Sequence, residues 1–304
     1  MAKVKKIESK QMSFKESMPY YVLIAPFLLM FILFTVLPIL ASLVLSFFNF
    51  DMIKTLQFNG LDNYVRLLIN DEIFMTTVKN TLVFAVITGP LGFLLSFVLA
   101  WFINEFSPFI RTLLSFMFYC PSLVGNAYFI WQVAFSSDSY GYINSALLSM
   151  GFIQEPIYWL SNEQYLMPII IVVQLWQSMG VSFLSNISGL QNVNGELYEA
   201  GAIDGIRSRW QELWYITLPA MQHMLLFSAV MQIAGAFSVS AIAVQMAGYP
   251  SVNYCVDTIV SYLSDVGGTR YEMGYASAMS VILFIMMALS RSLIKKAINS
   301  LGND

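Results

Sequence analysis

Amide, hydroxyl and aromatic side chains are the groups in this chain that could recognise a solute. They lie within long apolar stretches that contain no carboxylate. Such groups match a hydroxyl-rich ring without burying a charge, although each could instead bond a neighbouring helix or face a partner subunit. The candidates are Tyr119, Asn126, Tyr128, Trp131, Gln174, Trp176, Gln177, Gln222, Gln232, Ser238, Ser240 and Gln245.

The sequence lacks the residues that covalent catalysis or a metal site would require. His223 is the single histidine, and a lone histidine near a helix end is more typical of a packing interface than of a proton relay. The sequence shows no His, Cys, Asp or Glu cluster with metal-ligand spacing, and no Gly-x-x-x-x-Gly-Lys loop to hold a nucleotide. Cys120 and Cys255 are interpreted as unpaired thiols. We therefore expect no catalytic residue, no metal site and no cofactor bound by this chain.

Composition indicates a membrane protein. Hydrophobic residues make up 58% of the 304 residues and charged residues 11%. A soluble domain carries about 25% charged residues, so this chain could not cover a surface exposed to water. The net charge of −3 gives no reason to expect nucleic-acid binding.

Six stretches are long and apolar enough to cross a bilayer, which takes about 20 helical residues. We predict an all-α polytopic membrane protein with one transmembrane domain over 19–297. A basic tail precedes it over 1–18, and a short tail follows over 298–304. The predicted spans are 20–48, 80–103, 112–135, 165–190, 218–246 and 273–292.

Basic residues predict the orientation, because lysine and arginine are enriched in cytoplasmic loops. With the N-terminus inside, all but four of the 15 basic residues fall on cytoplasmic segments. The four on the outside are Lys54, Arg66, Lys79 and Arg270. We therefore predict that both termini are cytoplasmic, together with the loop at 191–219.

That loop is a polar island between apolar stretches. It reads Glu-Ala-Gly-Ala-Ile-Asp-Gly over 199–205 and ends Ile-Thr-Leu-Pro over 216–219. Asn194 is suited to cap a helix, Gly205 to reverse the chain, and Pro219 to open the next helix. An ordinary amphipathic connector could show any one of these features, but the whole ordered set indicates a rigid element that fits a partner.

The whole loop resembles the EAA loop of ABC importer permeases, on which the ATPase of that family docks. Other segments resemble the carbohydrate-uptake, maltose-type (MalF-like) branch, namely 58–64 with 80–82, 176–200, and 273–278. The resemblance covers nearly the whole chain. It implies six transmembrane helices in the type I importer permease (MetI-like) fold, in a bacterial cytoplasmic membrane.

The resemblance also implies a set of partners. ATP and Mg would be held by a separate ATPase chain, so this chain would be a transport subunit and not an enzyme. Two ATPase subunits, a second permease subunit in a heterodimer, and an extracellular binding protein that delivers a carbohydrate would complete the importer. The implied coupling residues are Glu199, Ala200, Gly201, Asp204, Gly205, Ile216, Leu218 and Pro219. The substrate candidates are Gln177, Gly180, Gln232 and Phe237, with Trp176 and Tyr128 beside them.

Two departures from the family loop bear on docking geometry. Gly201 stands where a second alanine is usual, and the interval from Gly205 to Ile216 is one residue longer. Three other functions stay open: import of a non-sugar solute, ion-driven secondary transport, and intramembrane catalysis. The lack of carboxylates in the predicted spans argues against catalysis and proton coupling, and the lack of mid-membrane Arg and Lys argues against an anionic solute.

Overall fold

The structure is a computed structural model that describes residues 14–53 and 55–301. For 14–17 and 297–301 it describes the backbone alone. The predicted N-terminal tail therefore lies mostly outside the described residues. Of the predicted C-terminal tail, 298–301 continue the last helix and 302–304 lie outside the described residues.

The first apolar stretch forms one long helix with a local widening. Helix α1 (Phe14–Phe31) continues through a π-turn at Ile32–Val36 into α2 (Leu37–Leu45). Pro38, in the first turn of α2, has no N–H to donate to the preceding turn, which suits a π-turn at this point. The apolar side chains of this helix are largely exposed, so its surface is available to lipid or to another subunit.

A short hairpin and helix follow at the far end of α2. Strand β1 (Phe48–Asn49) pairs antiparallel with β2 (Gln57–Phe58), and α3 (Asp62–Val65) comes next. The buried Asn63 amide donates to the carbonyl oxygens of Ser46 at 2.9 Å and Phe48 at 3.0 Å. This single side chain therefore ties α3 to the end of the first helix.

Helix α4 (Glu72–Asn104) is the central element of the bundle. It has 33 residues and is about 50 Å long, more than the roughly 30 Å of a hydrocarbon core. Asp71 caps it by accepting a hydrogen bond from the Phe74 N–H at 2.8 Å. The helix begins eight residues before the predicted span, because Glu72 and Lys79 mark a polar boundary but do not interrupt the helix.

The predicted span at 112–135 is divided into two helices. Helix α5 (Pro108–Leu123) ends at an extended Val124, and α6 (Phe129–Ala134) begins after a turn. Helix α7 (Tyr142–Ser149) then lies in the following loop. Neither α5 nor α6 is long enough to span a bilayer by itself.

The remaining elements include two interrupted helices. Helix α8 (Glu163–Gln177) meets α9 (Val181–Gln191) at a bend of 42°, and α13 (Gln222–Phe237) meets α14 (Ala241–Ala247) at Ser238–Ser240. The elements between and after them are α10 (Gly195–Ile203), α11 (Arg209–Glu212), α12 (Leu218–Ala220), a 3₁₀ turn at Val252–Tyr254, α15 (Ile259–Gly268) and α16 (Met273–Leu301).

Four helices of the described chain are long and apolar enough to cross a membrane, or five if the bent α8–α9 pair is one span. They are Met18–Leu45, Glu72–Asn104, Gln222–Ala247 and Met273–Lys296, with Glu163–Gln191 as the bent pair. The polytopic all-α prediction is confirmed. A count of six requires the divided α5–α6 segment to cross as well.

The core is built mainly around α4, α9 and α13. Near the α10 end of the bundle, Phe97, Phe183 and Leu225 pack together from these three helices. Toward the opposite end, Phe84 of α4 and Ile170 of α8 pack in a second cluster. Side chains from α4, α8, α9 and α13 therefore hold the two interrupted helices in one bundle.

The end of the bundle opposite α10 is braced by one carboxylate. Asp71 accepts hydrogen bonds from the hydroxyls of Tyr262 at 2.7 Å and Tyr275 at 2.6 Å. Asn80 of α4 adds a second tie, since its amide donates to the carbonyls of Tyr254 and Asp257 at 2.8 and 2.9 Å. Helices α4, α15 and α16 are therefore joined by hydrogen bonds at this end.

The loop between α6 and α8 is organised by Asn144 of α7, a fully buried amide. Its nitrogen donates to the carbonyls of Ser136, Asp138 and Ile157 at 3.0–3.2 Å. Its oxygen accepts from the Ile157 N–H at 3.1 Å and the Trp159 indole at 2.8 Å. One side chain thus satisfies five backbone and side-chain groups.

We expect Asn144→Ala to make this loop sensitive to protease in the purified protein. Removing the amide leaves buried polar groups unpaired, at a cost of about 1–3 kcal/mol for each group that water cannot reach. Limited proteolysis followed by mass spectrometry would show cleavage within 136–160. Ser145→Ala, on an exposed position of the same helix, is the control and should leave the cleavage pattern unchanged. Equal cleavage in both variants would contradict this role of Asn144.

Candidate coupling loop and central cavity

Helix α10 forms as its sequence predicts. Asn194 caps it, with its side-chain oxygen accepting from the Glu196 N–H at 3.1 Å. The helix ends at Asp204, and Gly205 follows with φ +95°, a left-handed conformation that glycine adopts without strain. The chain therefore reverses at this glycine.

Gly201 is buried beneath the second half of the loop. A Cβ at this position would lie 2.6 Å from Cδ1 of Ile216 and 3.1 Å from Cδ1 of Ile206. These isoleucines occupy the space that an alanine methyl would need. The two differences from the family loop are Gly201 and the longer interval, which contains Ile206. These two residues therefore lie against each other.

The second half of the loop is a capped helix that leads into α13. Ser208 and Gln211 form a capping box: the Gln211 N–H donates to the Ser208 hydroxyl, and the Ser208 N–H to the Gln211 side chain, each at 3.2 Å. Helix α11 then continues through a π-turn at Leu213–Thr217 into α12. Pro219 lies in the first turn of α12 and has no N–H to donate to the preceding turn, which suits a π-turn at this point.

One contact joins α10 to the second half of the loop, and another joins that second half to the core. The Tyr198 hydroxyl lies 2.9 Å from the Thr217 hydroxyl, which itself donates to the Glu212 carbonyl at 3.2 Å. Buried Leu213 packs in the core cluster that contains Leu190 of α9. A displacement of α10 would therefore move the segment that begins α12 and α13.

Arg209 connects the loop to the end of α4. Its guanidinium lies 3.0 Å from Glu105, just after α4, and 2.9 Å from Glu212. The hydrogen bond to Glu212 and the charge of Glu105 raise the pKa of Arg209 above its ordinary value. Because the pairs are exposed, each contributes at most about 1 kcal/mol, and their effect is mainly to orient the loop.

An aromatic contact also joins α4 to the loop. The ring centroids of Trp101 and Trp210 lie 5.3 Å apart.

The predicted coupling residues divide into an exposed and an inward-facing set. Gly201, Ile216 and Leu218 are buried or half-buried, whereas Glu199, Ala200, Asp204, Gly205 and Pro219 are exposed. Glu199 and Ala200 share one face of α10 with Ile203, whose side chain is 87% exposed. The free face of α10 therefore offers a carboxylate, a small residue and an apolar side chain that projects from the surface.

A cavity of about 240 Å³ lies where α8 bends into α9. It is lined by residues of α4, α8, α9 and α13, and all of its lining side chains are uncharged. The lining residues are Thr88, Gln174, Gln177, Ser178, Val181, Ser182, Met231, Gln232, Gly235 and Ala236.

Two of the predicted substrate residues line this cavity. The Gln232 side-chain oxygen accepts from the Ser182 hydroxyl at 2.8 Å, and its amide nitrogen lies so close to Gly92 that any Cβ there would overlap it. The Gln177 side-chain oxygen is buried and has no hydrogen-bond partner among the described residues. A buried amide oxygen without a partner is costly, and a bound donor would satisfy it.

The other four predicted substrate residues do not line the cavity. Gly180 forms the break between α8 and α9, with Ser122 3.3 Å from where its Cβ would be. Trp176 meets Trp131 edge-on at 5.6 Å. Tyr128 is buried and donates to the Asn126 side chain at 2.7 Å, and Phe237 is buried against Ala85.

Sequence reasoning did not single out Thr88, Ser178 and Ser182 as lining residues. Each is a small polar residue in an apolar helix, a pattern that equally suits a hydroxyl bonded to its own helix. Thr88 and Ser178 do make such bonds, to Phe84 and Leu175. Ser178 directly before a glycine-containing break was the one available signal.

The comparison with known families decides the chain's identity. Residues 89–300 match the family described as binding-protein-dependent transport system inner membrane component. The chain belongs to this family. It is therefore a membrane-embedded transport subunit and not an enzyme.

Similar proteins and structures agree with this membership. The probable ABC transporter permease YesP of Bacillus subtilis is 31% identical, over 90% of this chain and 88% of its own. The arabinooligosaccharides transport system permease AraP of the same organism is 30% identical, over 90% and 86%. The crystal structure of a bacterial alginate ABC transporter, in complex with an alginate-loaded periplasmic protein, matches with a TM-score of 0.78. That structure is 22% identical and covers 95% of this chain and 96% of its own, so it shows that the fold is shared.

We expect Gly201→Val to destabilise this permease by overpacking against Ile206 and Ile216, at a cost of about 1–3 kcal/mol. Thermal unfolding of the purified protein would show the loss as a lower Tm. Adding Ile216→Ala removes the atom that a side chain at 201 would meet, and should restore part of the Tm.

Gly195→Val is the matched control, because a Cβ at Gly195 meets no atom within 4 Å. A Tm that falls equally at both glycines, or that Ile216→Ala fails to raise, would contradict the close contact at Gly201.

Proposed function

We propose that this permease moves a carbohydrate through the cavity beside Gln177 and Gln232. The observation that carries the proposal is an uncharged cavity at a helix break, lined by amides and hydroxyls. Hydroxyl-rich rings bind to such groups, whereas an anionic or cationic solute would require an opposite charge that the lining does not contain. The cargo of the similar permease AraP, arabinooligosaccharides, supports an oligosaccharide or a sugar derivative.

In this proposal each substrate residue has a role. Gln177 donates and accepts hydrogen bonds with sugar hydroxyls, and Gln232 presents its amide nitrogen from the opposite wall. Gly180 permits the bend that opens the cavity between α8 and α9. Trp176, Tyr128 and Phe237 supply aromatic faces for the sugar when the helices around the cavity shift, as transport requires.

The energy comes from another chain. Two ATPase subunits bind ATP and Mg, a second permease subunit completes a heterodimer, and an extracellular binding protein delivers the sugar. The proposed domain is a transmembrane unit over 19–297 with tails at 1–18 and 298–304. Both tails and the loop at 191–219 lie in the cytoplasm, and the protein resides in the bacterial cytoplasmic membrane.

The contacts of the loop explain how ATPase movement reaches the cavity. Glu199, Ala200 and the exposed Ile203 enter a pocket of the ATPase, while Asp204 and Gly205 shape the turn beside it. Gly201, Ile216, Leu218 and Pro219 hold the loop against the start of α13. Arg209 holds its other side to Glu105 at the end of α4.

The same two helices meet at the cavity. Gln232 of α13 lies against Gly92 of α4, so relative movement of α4 and α13 changes the cavity wall. ATP binding shifts the permease between its two forms only to the extent that the ATPase contacts differ between them. Because the loop is held to α4 and α13, its contacts with the ATPase change when these helices move.

Glu199→Lys should release the ATPase from the complex. The reversed charge removes an exposed carboxylate from the free face of α10 and should repel a basic docking pocket. Affinity purification from native membranes in mild detergent, with mass spectrometry, would show the second permease retained and the ATPase lost.

Glu155→Lys makes the same charge change at an exposed position on the other side of the membrane, and should retain both partners. Retention of the ATPase by Glu199→Lys would contradict docking through this face of α10.

Gln177→Leu should impair uptake without destabilising the permease. Its side-chain oxygen has no hydrogen-bond partner among the described residues, so replacing the amide with an apolar group should leave the Tm unchanged or raise it. Loss of one hydrogen bond to the sugar should weaken apparent affinity in an uptake assay by roughly tenfold.

Gln164→Leu, at an exposed position in the first turn of α8, is the control and should import normally. Full uptake by Gln177→Leu, with the ATPase still bound, would remove Gln177 from the substrate site while leaving the importer assignment intact.

A further inference from the structure

A groove of about 510 Å³ runs between α13 and α16, on a different side of α13 from the substrate cavity. On α16 it is lined by one stripe of residues spaced three and four apart, which places them on a single helix face. The lining residues are Val230, Ile233 and Ala234 of α13 and Phe284, Met287, Ala288, Arg291, Ser292 and Lys295 of α16.

The groove changes chemistry along its length. Its first part is apolar, whereas Arg291, Ser292 and Lys295 form its end nearest the C-terminus of α16. All three are exposed. Neither Arg291 nor Lys295 forms an ion pair with an acidic residue in the described part of the chain. Two basic side chains without an acidic partner among the described residues therefore lie at the end of the apolar part of the groove.

The dimensions suit one leaflet of a bilayer. Lys295 lies eleven positions after Phe284, which at a rise of 1.5 Å per residue is about 16 Å along the helix axis. Half of a hydrocarbon core is about 15 Å. An acyl chain lying against Phe284 would therefore bring its headgroup to the level of Arg291 and Lys295.

We propose that this groove binds a phospholipid with an anionic headgroup in the cytoplasmic leaflet. The acyl chain lies along Val230, Ile233 and Phe284, and the headgroup phosphate accepts hydrogen bonds from Arg291, Ser292 and Lys295. A basic cluster at the cytoplasmic end of membrane helices is a typical site for acidic lipid headgroups. The choice of leaflet rests on the proposed orientation of the chain, whereas the site itself does not.

The consequence of such binding concerns the α13–α16 contact. Helix α13 carries Gln232 of the cavity, and Ile233 of the groove is the next residue. Phe237 of α13 also packs with Leu283 and Met286 of α16 near the groove. A lipid between the two helices would therefore fill the space beside the moving wall of the cavity.

The test is native mass spectrometry of the delipidated transporter complex with added phosphatidylglycerol or phosphatidylcholine of identical acyl chains. We expect phosphatidylglycerol to bind roughly tenfold more tightly, because each nearby base adds to the attraction. The double variant Arg291→Gln, Lys295→Gln should lose that preference. Ala234→Leu, which fills the apolar part, should weaken both lipids.

The matched control is the double variant Arg207→Gln, Lys296→Gln. It removes the same charge from exposed positions outside the groove and should keep the preference. Equal loss in the two double variants would overturn the proposal, because the effect would then follow net charge.

Two further outcomes would overturn it. Glycerol phosphate that displaces the lipid completely would show an anion site without an acyl groove. A photoactivatable phosphatidylglycerol that fails to label 284–295, together with disulfide capture of the second permease through Ala288→Cys, would show a subunit interface. Lipid binding needs no transport, so a complex that binds lipid but imports no carbohydrate would refute the proposed function alone.

Discussion

The close approach of α4 and α13 is the constraint on which the rest of the structure depends. Gly92 leaves room for the Gln232 amide to lie directly against the backbone of α4, and Ser182 of α9 donates to that same side chain. In lipid, helices are held together by tight packing and hydrogen bonds, because apolar surface gains little by leaving an apolar solvent. Three helices therefore share one buried amide, and the cavity opens beside it.

This arrangement makes the cavity and the loop parts of one mechanical unit. The loop is fastened to α4 through Arg209 and Glu105, and it leads into α13 through the Tyr198 and Thr217 contact. No single bond here is strong, since the ion pairs are exposed. Several contacts together nevertheless tie the loop to the ends of both helices. The proposed ATPase movement would reach Gln232 through those contacts.

Hydrogen bonds between helices also tie the opposite end of the bundle. Asp71, Tyr262 and Tyr275 join three helices there, and Asn144 organises the neighbouring loop. In the middle, α8 and α13 are both interrupted, at Ser178–Gly180 and Ser238–Ser240. An end joined by hydrogen bonds and an interrupted helix beside the cavity favour bending at the cavity. The proposed lipid groove lies on the other side of α13, where a bound phospholipid would affect that bending.

Features that depend on local chemistry and composition can be predicted from the sequence. The polytopic helical class, the Asn194 cap, the reversal at Gly205 and the position of Pro219 all follow from nearest neighbours along the chain. The positions of the helix breaks and the side chains that face the cavity depend instead on packing between helices. The hydropathy of the α5–α6 segment would be the same if it were one continuous helix, so hydropathy does not locate the break. Gln177 and Phe237 are both predicted substrate residues. In this structure packing directs Gln177 into the cavity and buries Phe237 against Ala85, because the direction a side chain faces depends on contacts distant in sequence.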